Sequence, residues 1–477
     1  MERKSGVLMH ISSLYGDYSI GGFGKSAKEF VDFLVDCRFT YWQVLPFLMA
    51  DSFNSPYQSY SAFSGNPYFV DLEILYNKGL ITKEELLKEI QTQPYSSEYE
   101  RLYERRFDIL KTASKRVVNK QNIVDFIEKY PHVKDFCTYM AKKESNDNKP
   151  WYEWKNDSYN EETLFMWMFI QYEFLTEWAD IKKYANEKGI KIIGDIPMYV
   201  AFDSSDVWAN KDNFLIDENN TPVMVAGVPP DYFSKDGQLW GNPLYNWDKM
   251  KENGYSWWID RMTHMTELFD AVRIDHFRGF ESFWAVPYGS ETAKDGMWIK
   301  GPGMNLIEKF NENFSDSLII AEDLGEITED VIKLLKDSKY PGVRVFQFGF
   351  LGDNDNPHMP HNYINNSVAY TGTHDNNTLL GHLWELPMEN KKRMLEYCNY
   401  HSDDWEKGYD SILRMVFASN AGIVILPIQD LLGYGEDTRM NVPGRAEGNW
   451  QYRITKDQLN LINKDKFRRF NELYKRC

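Results

Sequence analysis

The 477 residues hold only four cysteines, Cys37, Cys137, Cys398 and Cys477, far apart and with no CxxC pair. That argues against a disulfide framework and against a thiolate zinc site. A reduced compartment follows, and the expected location is cytoplasmic. No run of 18 apolar residues occurs, so no membrane partner is expected. The basic opening MERKSGVLMHISSL lacks a long apolar stretch and a cleavage site, and does not read as a secretion signal. Basic residues are in deficit, 54 against 71 acidic, for a formal net charge of -17. Such a field repels a polyphosphate backbone, so nucleic acid is not an expected partner. The Gly-rich stretch 433–448 contains no GK[ST] and is not a phosphate loop. DNDNPHM (353–359) starts like a calcium loop, but Pro357 takes a ligand position and the turn glycine is missing. His358 and His361 lack an evident third zinc ligand. No metal and no cofactor are therefore expected. Internal repeats, low-complexity tracts and a clear interdomain linker are also lacking.

Aromatic residues are plentiful at 16% of the chain. They suit a large core, and equally a groove of rings that stacks the apolar face of a sugar. A neutral ligand also tolerates the acidic surface. Eight short apolar runs recur along the chain, at 6–12, 41–47, 191–200, 268–277, 317–325, 342–350, 367–375 and 421–430. Most stay apolar until a polar C-terminal end. Continuous apolar runs fit parallel strands covered on both faces, and the connectors look helical. The expected fold class is α/β, a (β/α)8 TIM barrel with its site at the C-terminal strand ends. The whole chain, 1–477, reads as one catalytic barrel carrying two insertions. One is helical, about 72–186, between the second and third strands. The other is loop-rich, about 200–255, between the third and fourth, and holds a candidate lid.

Three carboxylates sit at separate candidate strand ends: Asp275 in VRID, Glu322 in IIAED and Asp375 in TGTHD. One such Asp alone is more often a helix cap than a catalyst. Together at a barrel mouth they are what glycoside chemistry needs: a nucleophile, a proton donor and a group that grips the sugar. Arg273, two residues before Asp275, shares its face on a strand. It is expected to hold Asp275 ionised, while desolvation and a nearby anion are expected to raise Glu322. His276 alternates to the opposite face unless the strand has already ended.

RIDHFRG, AEDLG and THDN resemble signature regions of the α-amylase superfamily. More narrowly, the chain is similar to the 4-α-glucanotransferases, also called amylomaltases or disproportionating enzymes. Supporting segments are GVLMHISSL, SPYQSYSAFSGNPYFVDL, GDIPMYVAFDSSDVWAN, VAGVPPDYFSKDGQLWGNPLYNW and GNWQYR, so the likeness runs from Gly6 to about Arg453. It implies Asp275 as nucleophile, Glu322 as general acid/base and Asp375 as transition-state stabiliser. It further implies that Arg273, His374 and Asp195 contact the sugar beside the scissile bond, with Tyr57 stacking on it or hydrogen-bonding to it. His276 serves the acceptor side or packs. Pro229 and Pro230 stiffen a lid in which Tyr232, Phe233 and Trp240 cover the intermediate. Asn449 and Trp450 contribute near the donor sugars. The implied partners are maltodextrin or amylose donors and glucose or glucan acceptors. The carboxylates alone do not separate transfer from hydrolysis, nor do they exclude a glucan-binding protein without activity; retention of all three disfavours the latter.

Overall fold

The computed structural model describes residues 1–50, 53–230, 235–402 and 405–477. Each of the eight apolar runs supplies one strand: β1 (Lys4–Leu8), β2 (Tyr41–Gln43), β3 (Lys191–Ile196), β4 (Ala271–Ile274), β5 (Leu318–Ala321), β6 (Gly342–Val345), β7 (Ser367–Tyr370) and β8 (Ile423–Pro427). They pair in parallel in sequence order, and β1 closes on β8 to form a barrel. The (β/α)8 expectation holds. The strands are shorter than the runs because the polar C-terminal end of each run leaves the sheet and becomes the rim of the mouth.

Alternation sorts each strand's side chains between two cores. Ile193, Ala271, Ile320, Val343, Val345, Val368, Tyr370, Ile423 and Ile425 pack one another in the inner cluster. Residues between them in sequence, such as Val7, Trp42, Ile192, Val272 and Val424, join the larger cluster under the helices. Close packing leaves no tolerance at Gly6. A Cβ there meets the backbone oxygen and Cβ of Tyr41 at 2.6 Å, so β1 and β2 approach as they do only because residue 6 is glycine.

Between β2 and β3 lie helices Leu72–Asn77, Lys83–Leu87, Tyr99–Lys115, Lys120–Ile127 and Pro131–Ser145. The last three pack on the 27-residue helix Glu161–Glu187, which leads into β3. Asn160 caps that helix, accepting from the amides of Glu162 and Thr163, and two glutamates occupy its first turn, both favourable at a helix N-terminus.

The stretch 200–255 contains two strands absent from the sequence reading, Met224–Val228 and Gln238–Pro243. They pair with each other and, through Met224–Val228, with Ser282–Pro287, which in turn pairs with Met297–Lys300. The result is a four-stranded antiparallel side sheet built from the loops after β3 and β4. No described helix is long and apolar enough to cross a membrane.

Candidate active site

Asp195 and Arg273 are register partners on adjacent strands β3 and β4, on the inner face. Arg273 Nη1 donates to both Asp195 oxygens, at 2.8 and 2.7 Å. The same nitrogen lies 3.0 Å from Asp275 Oδ1. Tyr57 from the loop after β2 donates its hydroxyl to Asp195 Oδ2 at 2.8 Å. Asp195, expected to touch the sugar, is enclosed and engaged by these two side chains. In this structure it orients Arg273 and Tyr57.

Asp275 stands one residue past β4 and Glu322 one past β5. The chain turns sharply after Asp275: His276 has φ 51° and ψ 46°. That left-handed residue aims its amide at Glu322 Oε2, 2.6 Å away, and Leu324 N donates to the other oxygen at 2.8 Å. Glu322 is thus clamped in one orientation by two backbone donors. The strand has ended before His276, so its ring joins the cleft and meets Trp240 edge-on, centroids 5.0 Å apart.

Asp375 does not end a strand. β7 stops at Tyr370, and Asp375 sits in the loop five residues on, because THDNNT bonds to itself: Thr373 N and Oγ1 both donate to Asn376 Oδ1. A second loop, 439–450, places Asp375. Asn441 Nδ2 donates to its Oδ1 at 2.6 Å, and Arg439 Nη2 to its carbonyl at 2.6 Å. The sequence reading passed over Asn441. MNVPG carries no sign of it, since the contact joins residues 66 apart. His374 stacks on Tyr57, centroids 5.1 Å apart at 15°, and both rings flank Trp450. Asn449, assigned to the donor sugars, spends its amide on the loop itself. Its Oδ1 accepts from Val442 N at 2.9 Å and its Nδ2 donates to Arg445 O at 2.9 Å; every reach to a sugar competes with those bonds.

Tyr57, Trp240, Asp275, His276, Asp375 and Trp450 line one cleft of about 530 Å³, the size of a small-molecule site. Pro229 and Pro230 are the last described residues before 231–234, and Tyr232 and Phe233 lie outside the described residues. Arg278 belongs to the scaffold. It donates to Ser282 Oγ at 3.0 Å and to the Glu326 carbonyl, and its guanidinium lies 4.0 Å from the centroid of Trp298. His358 and His361 have separate tasks: His358 Nδ1 accepts from Val345 N at 3.0 Å, and His361 Nδ1 meets Tyr397 at 2.9 Å.

Burial is the largest influence on the Asp275 carboxyl and pushes it up, as do the anions Asp195, Glu322 and Asp375; Arg273 opposes them. The expectation that Arg273 holds Asp275 at a low value is therefore corrected. The guanidinium is shared with Asp195, and burial together with the neighbouring anions outweighs it. Burial likewise pushes Glu322 up, against Arg273 and the two amides. Asp275 and Glu322 titrate as a cluster that retains a proton above the ordinary carboxylate range. Burial lowers His276 to about 3 and also lowers His374, so both rings are neutral.

A closed parallel barrel with clustered strand-end carboxylates and an aromatic-walled cleft defines a carbohydrate-active (β/α)8 enzyme. The 4-alpha-glucanotransferase family model matches residues 9–459, and the chain belongs to that family. It is 44% identical to the 4-alpha-glucanotransferase of Streptococcus pneumoniae, over 96% of this chain and 94% of the relative. It is 42% identical to that of Clostridium butyricum, over 98% and 100%. Among solved structures, an amylomaltase from Streptococcus agalactiae in complex with acarbose superimposes with a TM-score of 0.96, at 38% identity and 100% coverage of both chains.

Proposed function

We propose that the chain transfers segments of α-1,4-glucan from a maltodextrin or amylose donor to the 4-hydroxyl of glucose or another glucan, with retention, in the cytoplasm. The observation that carries this reading is the placement of Asp275 and Glu322 on adjacent strands with different surroundings: Asp275 beside a guanidinium, Glu322 enclosed and clamped. Glu322 protonates the departing glycosidic oxygen as Asp275 attacks the anomeric carbon, forming a covalent glucosyl-enzyme. The acceptor's 4-hydroxyl then gives its proton to Glu322 and attacks the same carbon, releasing Asp275. Arg273, 3.0 Å from Asp275, is the cation that opposes burial there, and this reading gives the anion to Asp275 and the retained proton to Glu322. Asp375, oriented by Asn441, holds ring hydroxyls more tightly as the sugar flattens toward the oxocarbenium geometry. Trp240 and His276 wall the acceptor side.

Incubation with maltotriose alone tests this. A ladder of longer and shorter maltodextrins is expected, and Asp275→Asn should abolish it, with a fall of about 10³-fold or more. Glucose and maltose as the sole products would make the activity hydrolytic.

A further inference from the structure

Asp375 is delivered by the segment between β7 and the next helix, Leu379–Glu385. That segment begins and ends on one carboxylate. Thr371, the first residue after β7, donates its hydroxyl to Asp430 Oδ2 at 2.5 Å. Leu379 N, at the head of the helix, donates to Asp430 Oδ1 at 2.8 Å. Asp430 and Thr371 are both fully buried. Burial pushes the Asp430 carboxyl up to about 6, and the bonds from Thr371 and Leu379 oppose it. Two donors rather than a cation hold its charge. Burying a carboxylate in this way is costly, and such costs concentrate where a fold must fix a site.

The neighbouring side chain holds the other half of that site. Gln429 Nε2 donates to Thr438 O at 3.0 Å, where the loop 439–450 begins. That loop brings Asn441 to Asp375, and Asn441 N also donates to His374 O at 3.1 Å. Gln429 and Asp430 belong to one five-residue helix, Ile428–Leu432, which follows β8 directly. The Tyr409 hydroxyl donates to the Asp430 carbonyl at 2.9 Å and ties this helix to helix Trp405–Ala418. Consecutive side chains on one anchored turn therefore set two loops, and the loops meet at the bond between Asn441 and Asp375.

We infer that Gln429 and Asp430 are positioning residues for Asp375, fixing from one short helix the two loops that place it. The inference rests on the role given to Asp375 above. Neither residue lines the cleft, so both act through the loops and not on the sugar. A carboxylate that must grip ring hydroxyls most tightly in the flattened state has to be held to within about 0.5 Å. A misplacement of about 1 Å can cost ~10²-fold. Ground-state binding is spread over the other cleft residues, so loosening the loops should be felt in kcat.

The test measures kcat and KM on maltotriose. Asp430→Ala should lower kcat about tenfold or more, with KM within about twofold. Asp430→Asn can still accept from Leu379 N and turn its NH2 to the Thr371 hydroxyl, and should recover kcat to within about threefold of the unsubstituted enzyme. Combined with Asn441→Ala, Asp430→Ala should cost less than the product of the two losses, because both act through Asp375. Should Asp430→Ala fail to fold, Thr371→Val and Gln429→Leu, which each remove one bond, take its place, and each should lower kcat about threefold to tenfold. A folded variant with kcat intact, a loss confined to KM, no recovery in Asp430→Asn, or losses that multiply fully with Asn441→Ala would overturn the assignment. Failure of the unsubstituted enzyme to disproportionate maltotriose would instead overturn the transfer reading.

Discussion

At the residue scale, chemistry rests on how few positive charges serve the carboxylates. Asp195, Asp275 and Glu322 surround Arg273, and the histidine beside Asp375 is neutral. The sign of the pH dependence follows. Glu322 must carry a proton to act, and burial raises it, so the basic limb of kcat should lie above the ordinary carboxylate range and activity should fall as pH rises through it. Glu322→Gln should lower kcat on maltotriose by ~10²–10⁴-fold yet leave glycosylation by α-maltosyl fluoride largely intact, because fluoride departs unprotonated. A fluoride donor that is slowed as much as the natural one would remove Glu322 from the acid role. Asn441→Ala should cost kcat about tenfold with a smaller change in KM, since it frees an oxygen of Asp375 rather than a direct sugar contact. A KM effect alone would make Asn441 a binding residue. Asp275 and Glu322 were legible in the sequence because their apolar strands announce them. The support of Asp375 was not, because β7 ends early and the placing comes from a loop 66 residues away.

At the element scale, the barrel was readable and the side sheet was not. Parallel strands buried on both faces leave long apolar runs, whereas Met224–Val228 and Gln238–Pro243 are short, Gly- and Pro-interrupted and partly exposed, so their period of two is lost. That sheet carries Trp240 into the cleft opposite His276. Trp240→Ala should raise the proportion of hydrolysis to transfer on maltotriose severalfold, read as free glucose against new chain lengths. An unchanged ratio would separate the sheet from acceptor choice. Gly6→Ala tests the barrel wall. Its methyl overlaps the Tyr41 backbone, and overpacking of this kind costs about 1–3 kcal/mol. Thermal unfolding should shift down accordingly; no shift would mean that β1 and β2 separate without penalty.

At the scale of the whole molecule, the two ends of the chain lock the seam where β1 meets β8. Arg476 is fully buried and donates to five carbonyls, those of Lys4, Phe417, Ser419, Ala421 and Gly422, at 2.7 to 3.2 Å. Arg476→Ala removes all five bonds; Phe417 O and Ser419 O keep Arg3 and Gly422 O keeps Lys4 N, and each acceptor left unsatisfied costs about 1–3 kcal/mol. The seam contacts lie at the N-terminal ends of the strands, opposite the cleft. Expected, then, is a Tm lower by ~5 °C or more with kcat/KM unchanged at 25 °C. Loss of activity without loss of Tm would contradict this division between a stabilising floor and a working rim.

Arg278 joins two parts of the rim that have different duties. Through Ser282 and Trp298 it grips the sheet that roofs the acceptor side, and through the Glu326 carbonyl it grips the loop that carries Glu322. Arg278 thus ties the roof to the loop of the proton carrier. The expected consequence is that motion lifting the roof to admit water also draws away the base that water needs. Arg278→Met should uncouple the two, raising the hydrolysed fraction while the roof's own rings stay in place; if hydrolysis stayed level, the walls would be moving independently.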